Sequence, residues 1–198
     1  MSTAAKRRLT PEEYLAIERD VPTKHEFYQG EMFAMSGASR EHNQVTFNLA
    51  GSLHSQLKDR DCNAYVNDMR VKVSATGLYT YPDVVITCEK PKFEDSVVDT
   101  LLNPQAIIEV LSESTEKYDR GDKFAQYRQL PSLREYVLVS QERPHIELFT
   151  KTDAGVWMLT EAIGLESSID IPAIACRLTL AEVYSKVEFA SPSLEGRG

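Results

Sequence analysis

AIIEVLS, residues 106–112, is a short and nearly continuous apolar run broken by a single acid, Glu109. An apolar run of this length without alternation is the pattern of a strand covered on both faces. Upstream, residues 78–87 read LYTYPDVVIT, where Asp83 follows Pro82 and directly precedes Val84-Val85-Ile86. Proline cannot donate to a sheet ladder, so the chain is expected to enter this second strand irregularly or at an edge. Two acids therefore stand where a folded core should reject them. A buried carboxylate is costly unless it is paired or bound to a cation, and two on neighbouring strands repel unless positive charge lies between them. Mg2+ suits the arrangement, because it takes one or two protein carboxylates and completes its shell with water and phosphate oxygens. The plainer reading of Glu109 is an ion pair with a basic residue such as Arg70.

A helix expected over 119–130 follows the Glu109 strand and must pack back against the sheet, with Phe124 and Tyr127 on its inner face. Lys123 and Tyr127 are four residues apart and share that face. A lysine placed beside metal-activated water positions the nucleophile and offsets developing charge. Alone, Lys123 reads as a solvated helix lysine; the two acids change that reading. Asp119 and Asp122 are expected to cap the helix. Arg70 and Lys72 lie on one strand face, which suits phosphates and open solvent equally well. Ser112 and Ser114 lack His and acid partners at recognisable spacing, which argues against a serine hydrolase. No Gly-rich phosphate loop is present. The four histidines, at 25, 42, 54 and 145, are too scattered to suggest a His-based metal hydrolase.

Outward from this centre, Thr10-Pro11-Glu12-Glu13 is a capping box that starts a first helix. HEFYQGEM reads as a hairpin turning at Gln29-Gly30. Val45, Leu49, Leu53 and Leu57 recur every four residues and predict a core-facing helix over 39–58. AYVNDMRVKVS alternates as a strand, with Met69, Val71 and Val73 on one face. EYVLVS and HIELFT form a hairpin through QERP, VWMLTEA adds a strand, and TLAEVYSKV is a last amphipathic helix. The order predicts an α/β (α+β) layer structure around a mixed sheet. At 198 residues the chain fits a single domain, taken as 10–187, with a flexible N-terminus over 1–9 and a flexible tail over 188–198.

Hydrophobic content of 42% and charged content of 26% are ordinary for a globular protein, and no run approaches the roughly 20 apolar residues of a membrane span. The basic start has no apolar stretch behind it, so a cytoplasmic protein is expected. Cys62, Cys88 and Cys176 are widely spaced and odd in number, and are read as reduced, buried thiols. A net charge of −8 excludes a protein that simply coats nucleic acid, since that binding is carried by Lys and Arg. It leaves room for an enzyme with a local groove.

Pro82-Asp83 followed by an apolar strand carrying Glu109 resembles the PD-(D/E)xK nuclease superfamily. The stretch IIEVLSESTEKYDRGDKFAQYRQLPSLREYVLVSQERPHIELF is similar to one branch of it, small bacterial restriction-endonuclease-like proteins. HEFYQGEM, with Glu26 and Gly30, and EHNQVTFNLAGSL, with His42, extend the resemblance to residues 10–187. It implies a restriction-endonuclease-like mixed sheet flanked by helices, and a Mg2+- or Mn2+-dependent endonuclease acting on nucleic acid, DNA before RNA. It also implies catalytic Asp83, Glu109, Lys123 and Glu26, metal ligation by Asp83, Glu109 and the Val110 carbonyl, and a homodimer. One departure stands out: the superfamily's lysine two residues after the acid is Leu111 here, and Lys123 resembles a migrated replacement. The acidic charge and Leu111 favour the alternative, a catalytically inactive nuclease fold kept as a binding or regulatory protein.

Overall fold

The computed structural model describes residues 7–189. Helix α1 (Pro11–Glu18) opens on the expected capping box, with reciprocal bonds between Thr10 and Glu13. Strands β1 (His25–Tyr28) and β2 (Glu31–Ala34) turn at Gln29 and Gly30, both at positive φ (51° and 85°), as a two-residue hairpin turn requires. Helix α2 (Arg40–Leu57), capped by Ser39, buries Val45, Leu49, Leu53 and Leu57.

AYVNDMRVKVS is not one strand. It divides into β3 (Asn63–Val66) and β4 (Arg70–Val73), which belong to different sheets. The break falls at Asn67, whose φ is 60°; asparagine tolerates this left-handed backbone at low cost. Strands β5 (Leu78–Thr80) and β7 (Thr100–Leu101) complete a five-stranded sheet in the order β2-β1-β5-β4-β7. The second sheet has six strands, in the order β11-β10-β9-β8-β6-β3. Its members beyond β3 are β6 (Val84–Thr87), β8 (Ala106–Leu111), β9 (Glu135–Ser140), β10 (His145–Lys151) and β11 (Trp157–Ile163). Strand β8 pairs parallel with β9 and antiparallel with β6, so the sheet is mixed. A hairpin of β12 (Ser168–Ile171) and β13 (Cys176–Thr179) and a short helix α5 (Leu180–Val183) close the described chain.

Both faces of β8 are covered, which explains its nearly continuous apolar run. Ile108 and Val110 join the α2 side of the core, while Ile107 and Leu111 join the side built from β4, β5 and the helix carrying Phe124 and Tyr127. Glu109 shares the second face by the two-residue period of a strand. The helical segment after β8 starts earlier than the pattern indicated, with α3 (Glu116–Tyr118), a π-helical turn (Asp119–Lys123) and α4 (Phe124–Tyr127). Asp119 therefore lies inside the helical run and does not cap it.

Two further expectations are corrected. Cys62 and Cys88 form a disulfide, and only Cys176 is a free, buried thiol. The antiparallel register Asn63↔Thr87 puts the next residues outward, 62 and 88, side by side, a proximity invisible in their spacing. Arg70 and Lys72 are both engaged by partners: Arg70 is buried and bonds Asp99 and Tyr81, and the half-buried Lys72 pairs with Glu94. At the chain ends, the Leu9 N–H donates to the Gly30 carbonyl and Phe189 packs on the core. The ends 1–6 and 190–198 lie outside the described residues.

Glu135, at the start of β9, is fully buried and neither of its carboxyl oxygens makes a hydrogen bond. Burial pushes its pKa up to about 7, and the nearby Ala173 amide offsets this only in part. The folded state then holds a proton that the unfolded chain releases near 4.5. This stabilising contribution is complete below pH 4.5 and is lost as pH rises through 7. Glu135→Gln should remove that loss, so urea denaturation at pH 8 should show the variant more stable than the parent by on the order of 3 kcal/mol relative to their difference at pH 4.5. Parallel pH profiles for the two proteins would exclude it.

Candidate active site

The chain crosses from the five-stranded sheet to the six-stranded one at Tyr81-Pro82-Asp83, between β5 and β6. Pro82 marks an irregular entry, as its missing N–H requires. The β6–β8 register runs Val84↔Ile108 and Val85↔Ile107, and one further step sets Asp83 opposite Glu109 on the same sheet face. Asp83 is anchored there, its Oδ2 accepting from the Val110 N–H at 2.7 Å. The His42 Nε2, from the first turn of α2, lies 3.3 Å from the same oxygen. Among the described residues no hydrogen bond to Asp83 Oδ1 is found.

Glu109 is 3% exposed and Lys123 is 5% exposed. The Lys123 Nζ lies 2.9 Å from Glu109 Oε1, 3.3 Å from Asp119 Oδ1 and 3.5 Å from Glu26 Oε1. Tyr127 donates to the same Glu109 oxygen at 2.9 Å, and Thr80 of β5 donates to Glu26. The π-helical turn places Lys123 and Asp119 on one face, directed at β8, and such turns recur at functional sites. Burial, helped by the charges of Asp119 and Asp83, pushes Glu109 up to about 8 even with Lys123 beside it. For Lys123 burial works in the opposite sense, but Glu109, Asp119 and Glu26 outweigh it and hold the ammonium well above its ordinary pKa. Burial alone would depress His42; Asp83 and the Val110 backbone overcome it and raise its pKa.

These residues line one cleft of about 1040 Å3. It brings together all four acids and bases predicted from sequence, Asp83, Glu109, Lys123 and Glu26, with Val110 beside them. The alternative partner for Glu109, Arg70, is engaged elsewhere. Leu111 is buried in the core beside Tyr136 and Leu138, so no lysine at that position is needed to complete the packing. Asp119 was missed because it was read as a cap, although its four-residue spacing from Lys123 was visible. Thr80 carries no sequence signal at all. Four carboxyl groups thus surround one ammonium, an oxygen-rich set that suits a divalent ion, whose charge would also favour the ionised form of Glu109.

A second cluster, His145, Glu147 and Glu161, lies on the β10–β11 hairpin with ligand atoms within 4.8 Å of one another. Its members are already paired: Arg120 holds Glu147, and His145 Nε2 is 2.9 Å from Glu161. Like charges face each other in the Glu147↔Glu161 register, and Arg120 offsets them on the Glu147 side.

Residues 11–181 match the family profile Uma2, described as "Putative restriction endonuclease". Two relatives from Synechocystis are similar over most of their length. The uncharacterized protein sll1609 is 39% identical over 170 residues, covering 86% of this chain and 96% of that protein. The uncharacterized protein slr1290 is 36% identical over 174 residues, covering 83% and 90%. A crystal structure of "a putative nuclease belonging to DUF820" from Anabaena variabilis superposes with a TM-score of 0.71, covering 89% of this chain and 98% of that one at 14% identity, a likeness of fold. Among the described residues no helix is long and apolar enough to cross a membrane. Sequence and fold together show that this chain belongs to the Uma2 family of restriction-endonuclease-like proteins.

Proposed function

We propose that the cleft is the centre of a Mg2+- or Mn2+-dependent nuclease that hydrolyses phosphodiester bonds of nucleic acid, DNA before RNA. The observation that carries this reading is the convergence of Asp83 and Glu109 on one sheet face with the Lys123 ammonium 2.9 Å from Glu109. The donor set fits the ion: Asp83, Glu109 and the Val110 carbonyl offer hard oxygen ligands, and Mg2+ needs few from protein. The His145 cluster is a poorer host, because Arg120 already neutralises Glu147. When bound, the ion supplies positive charge against the phosphate and makes water more acidic.

The chain's own residues do the positioning. Asp83, fixed by the Val110 N–H, lines the cleft. Tyr127 and Lys123 set the Glu109 carboxyl. Lys123, held among Glu109, Asp119 and Glu26, orients the attacking water and offsets charge building on the phosphate oxygens. Glu26, bonded by Thr80, steadies that ammonium. The competing reading, an inactive binding module, draws on the net charge of −8 and on Leu111. It expects no stabilisation by metal and no cleavage.

Labelled single-stranded and duplex oligonucleotides incubated with Mn2+ should be cut, and Asp83→Ala should reduce the rate at least 100-fold. Equal cleavage by both proteins would remove Asp83 from the chemistry. Saturating Mn2+ should raise the melting temperature by several degrees, and Glu109→Ala should abolish the rise; an unchanged melting temperature in the parent protein would favour the binding module. Lys123→Met should cost about 3–5 kcal/mol in urea denaturation, because it strands buried carboxylates without a cation. Adding Glu109→Gln to that variant should recover a substantial part of the loss. Additive costs in this double-mutant cycle would mean that the two groups are not coupled.

A further inference from the structure

The cleft lacks the groups that ordinarily hold duplex nucleic acid. Among the described residues six carboxylates line it against two lysines, and no arginine lines it. Lys123 is buried among acids, and Lys24 bonds Asp68 at 3.0 Å and the Asn67 carbonyl at 3.2 Å. Duplex binding is carried mainly by Lys and Arg neutralising phosphates, so little of it is available here even with one divalent ion in place. Affinity has to come from another part of the nucleotide.

Aromatic surface stands beside the reacting groups. Phe33 of β2 is the register partner of Glu26, so the two side chains leave the hairpin on the same face. Its ring is 50% exposed and lines the cleft. Tyr118, on the helix that carries Lys123, is 36% exposed and lines the same cleft, with its ring 5.9 Å from Lys123 Nζ and within electrostatic reach of Glu26. Glu26 and Lys123 are thus flanked by two open rings, one from the hairpin and one from the helix. A ring face accepts any nucleobase by stacking, without needing a particular sequence. Bases inside a duplex are already stacked on one another and offer no free face.

We infer that the substrate is single-stranded or locally unpaired nucleic acid, its bases stacked on Phe33 and Tyr118 while the intervening phosphate lies against Asp83, Glu109 and Lys123. This rests on the nuclease reading of the cleft and adds the substrate class. Phe33 is the specificity residue to test, because it is exposed, carries no polar atom and belongs to none of the buried clusters.

Two measurements test it on the full chain. In cleavage with Mn2+, a single-stranded oligonucleotide should be preferred at least tenfold in kcat/KM over the same sequence as a duplex. Phe33→Ala should raise KM for the single strand about five- to tenfold with kcat within threefold of the parent, and Phe33→Trp should restore KM. Equal or better cleavage of duplex, or an unchanged KM in Phe33→Ala, would overturn the inference. In binding without metal, a single strand containing 2-aminopurine should be quenched by the parent protein and far less by Phe33→Ala; no quenching by the parent also overturns it. Failure to cleave any substrate would remove the nuclease reading, whereas quenching that depends on Phe33 would still support the stacked single strand.

Discussion

The buried ammonium of Lys123, within 3.5 Å of Glu109, Asp119 and Glu26, is the interaction around which the cleft is arranged. Each of these carboxylates would be expensive to bury alone, and the ammonium would be expensive without them. Their mutual attraction lets a polar centre exist at the end of a strand whose other side chains are all apolar. Tyr127 and Thr80 use their hydroxyls on the remaining carboxylate lone pairs, so the centre is hydrogen-bonded as well as charge-paired. Once Asp83 is counted, four carboxyl groups stand around one ammonium, and this oxygen-rich set is the physical basis for reading the cleft as a cation site.

The surrounding architecture serves this centre. The two sheets meet where Tyr81-Pro82-Asp83 passes from β5 to β6, so an acid at the crossover opens into the space between them. The β1–β2 hairpin brings Glu26 from the five-stranded sheet, and β8 brings Glu109 from the six-stranded one. The π-helical turn places Asp119 and Lys123 on one face of the only helical segment that follows β8 directly. His42 arrives on the first turn of α2, whose four-residue leucine stripe packs against the opposite face of the same sheet. Five separate parts of the chain thus converge on one cleft, each held by ordinary core packing behind it.

Much of this was legible before any coordinates. Asp83 and Glu109 were conspicuous because acids beside or within apolar strand runs have few explanations. Lys123 followed from its place on the next helix, and Glu26 from the family resemblance. The capping box, the Gln29-Gly30 turn and the α2 stripe depend on near neighbours in sequence, and all appear as read. Less visible features depend on which strand lies beside which. Arg70 looked available to phosphate until Asp99 and Tyr81, far along the chain, were seen to occupy it. The split of β3 from β4 was hidden by continuous alternation across Asn67.

By itself, the amino-acid order determined local conformation and the cost of burying particular side chains, because helix caps, tight turns and apolar periodicity are settled within a few residues. Only the tertiary structure decided register. The β6–β8 alignment sets Asp83 across from Glu109, the β3–β6 alignment joins Cys62 to Cys88, and the β1–β2 alignment sets Phe33 beside Glu26. A shift of one residue in any of these pairings would turn the side chains to the opposite face. Register is fixed by the packing of both sheet faces at once, a condition that no single stretch of the chain contains.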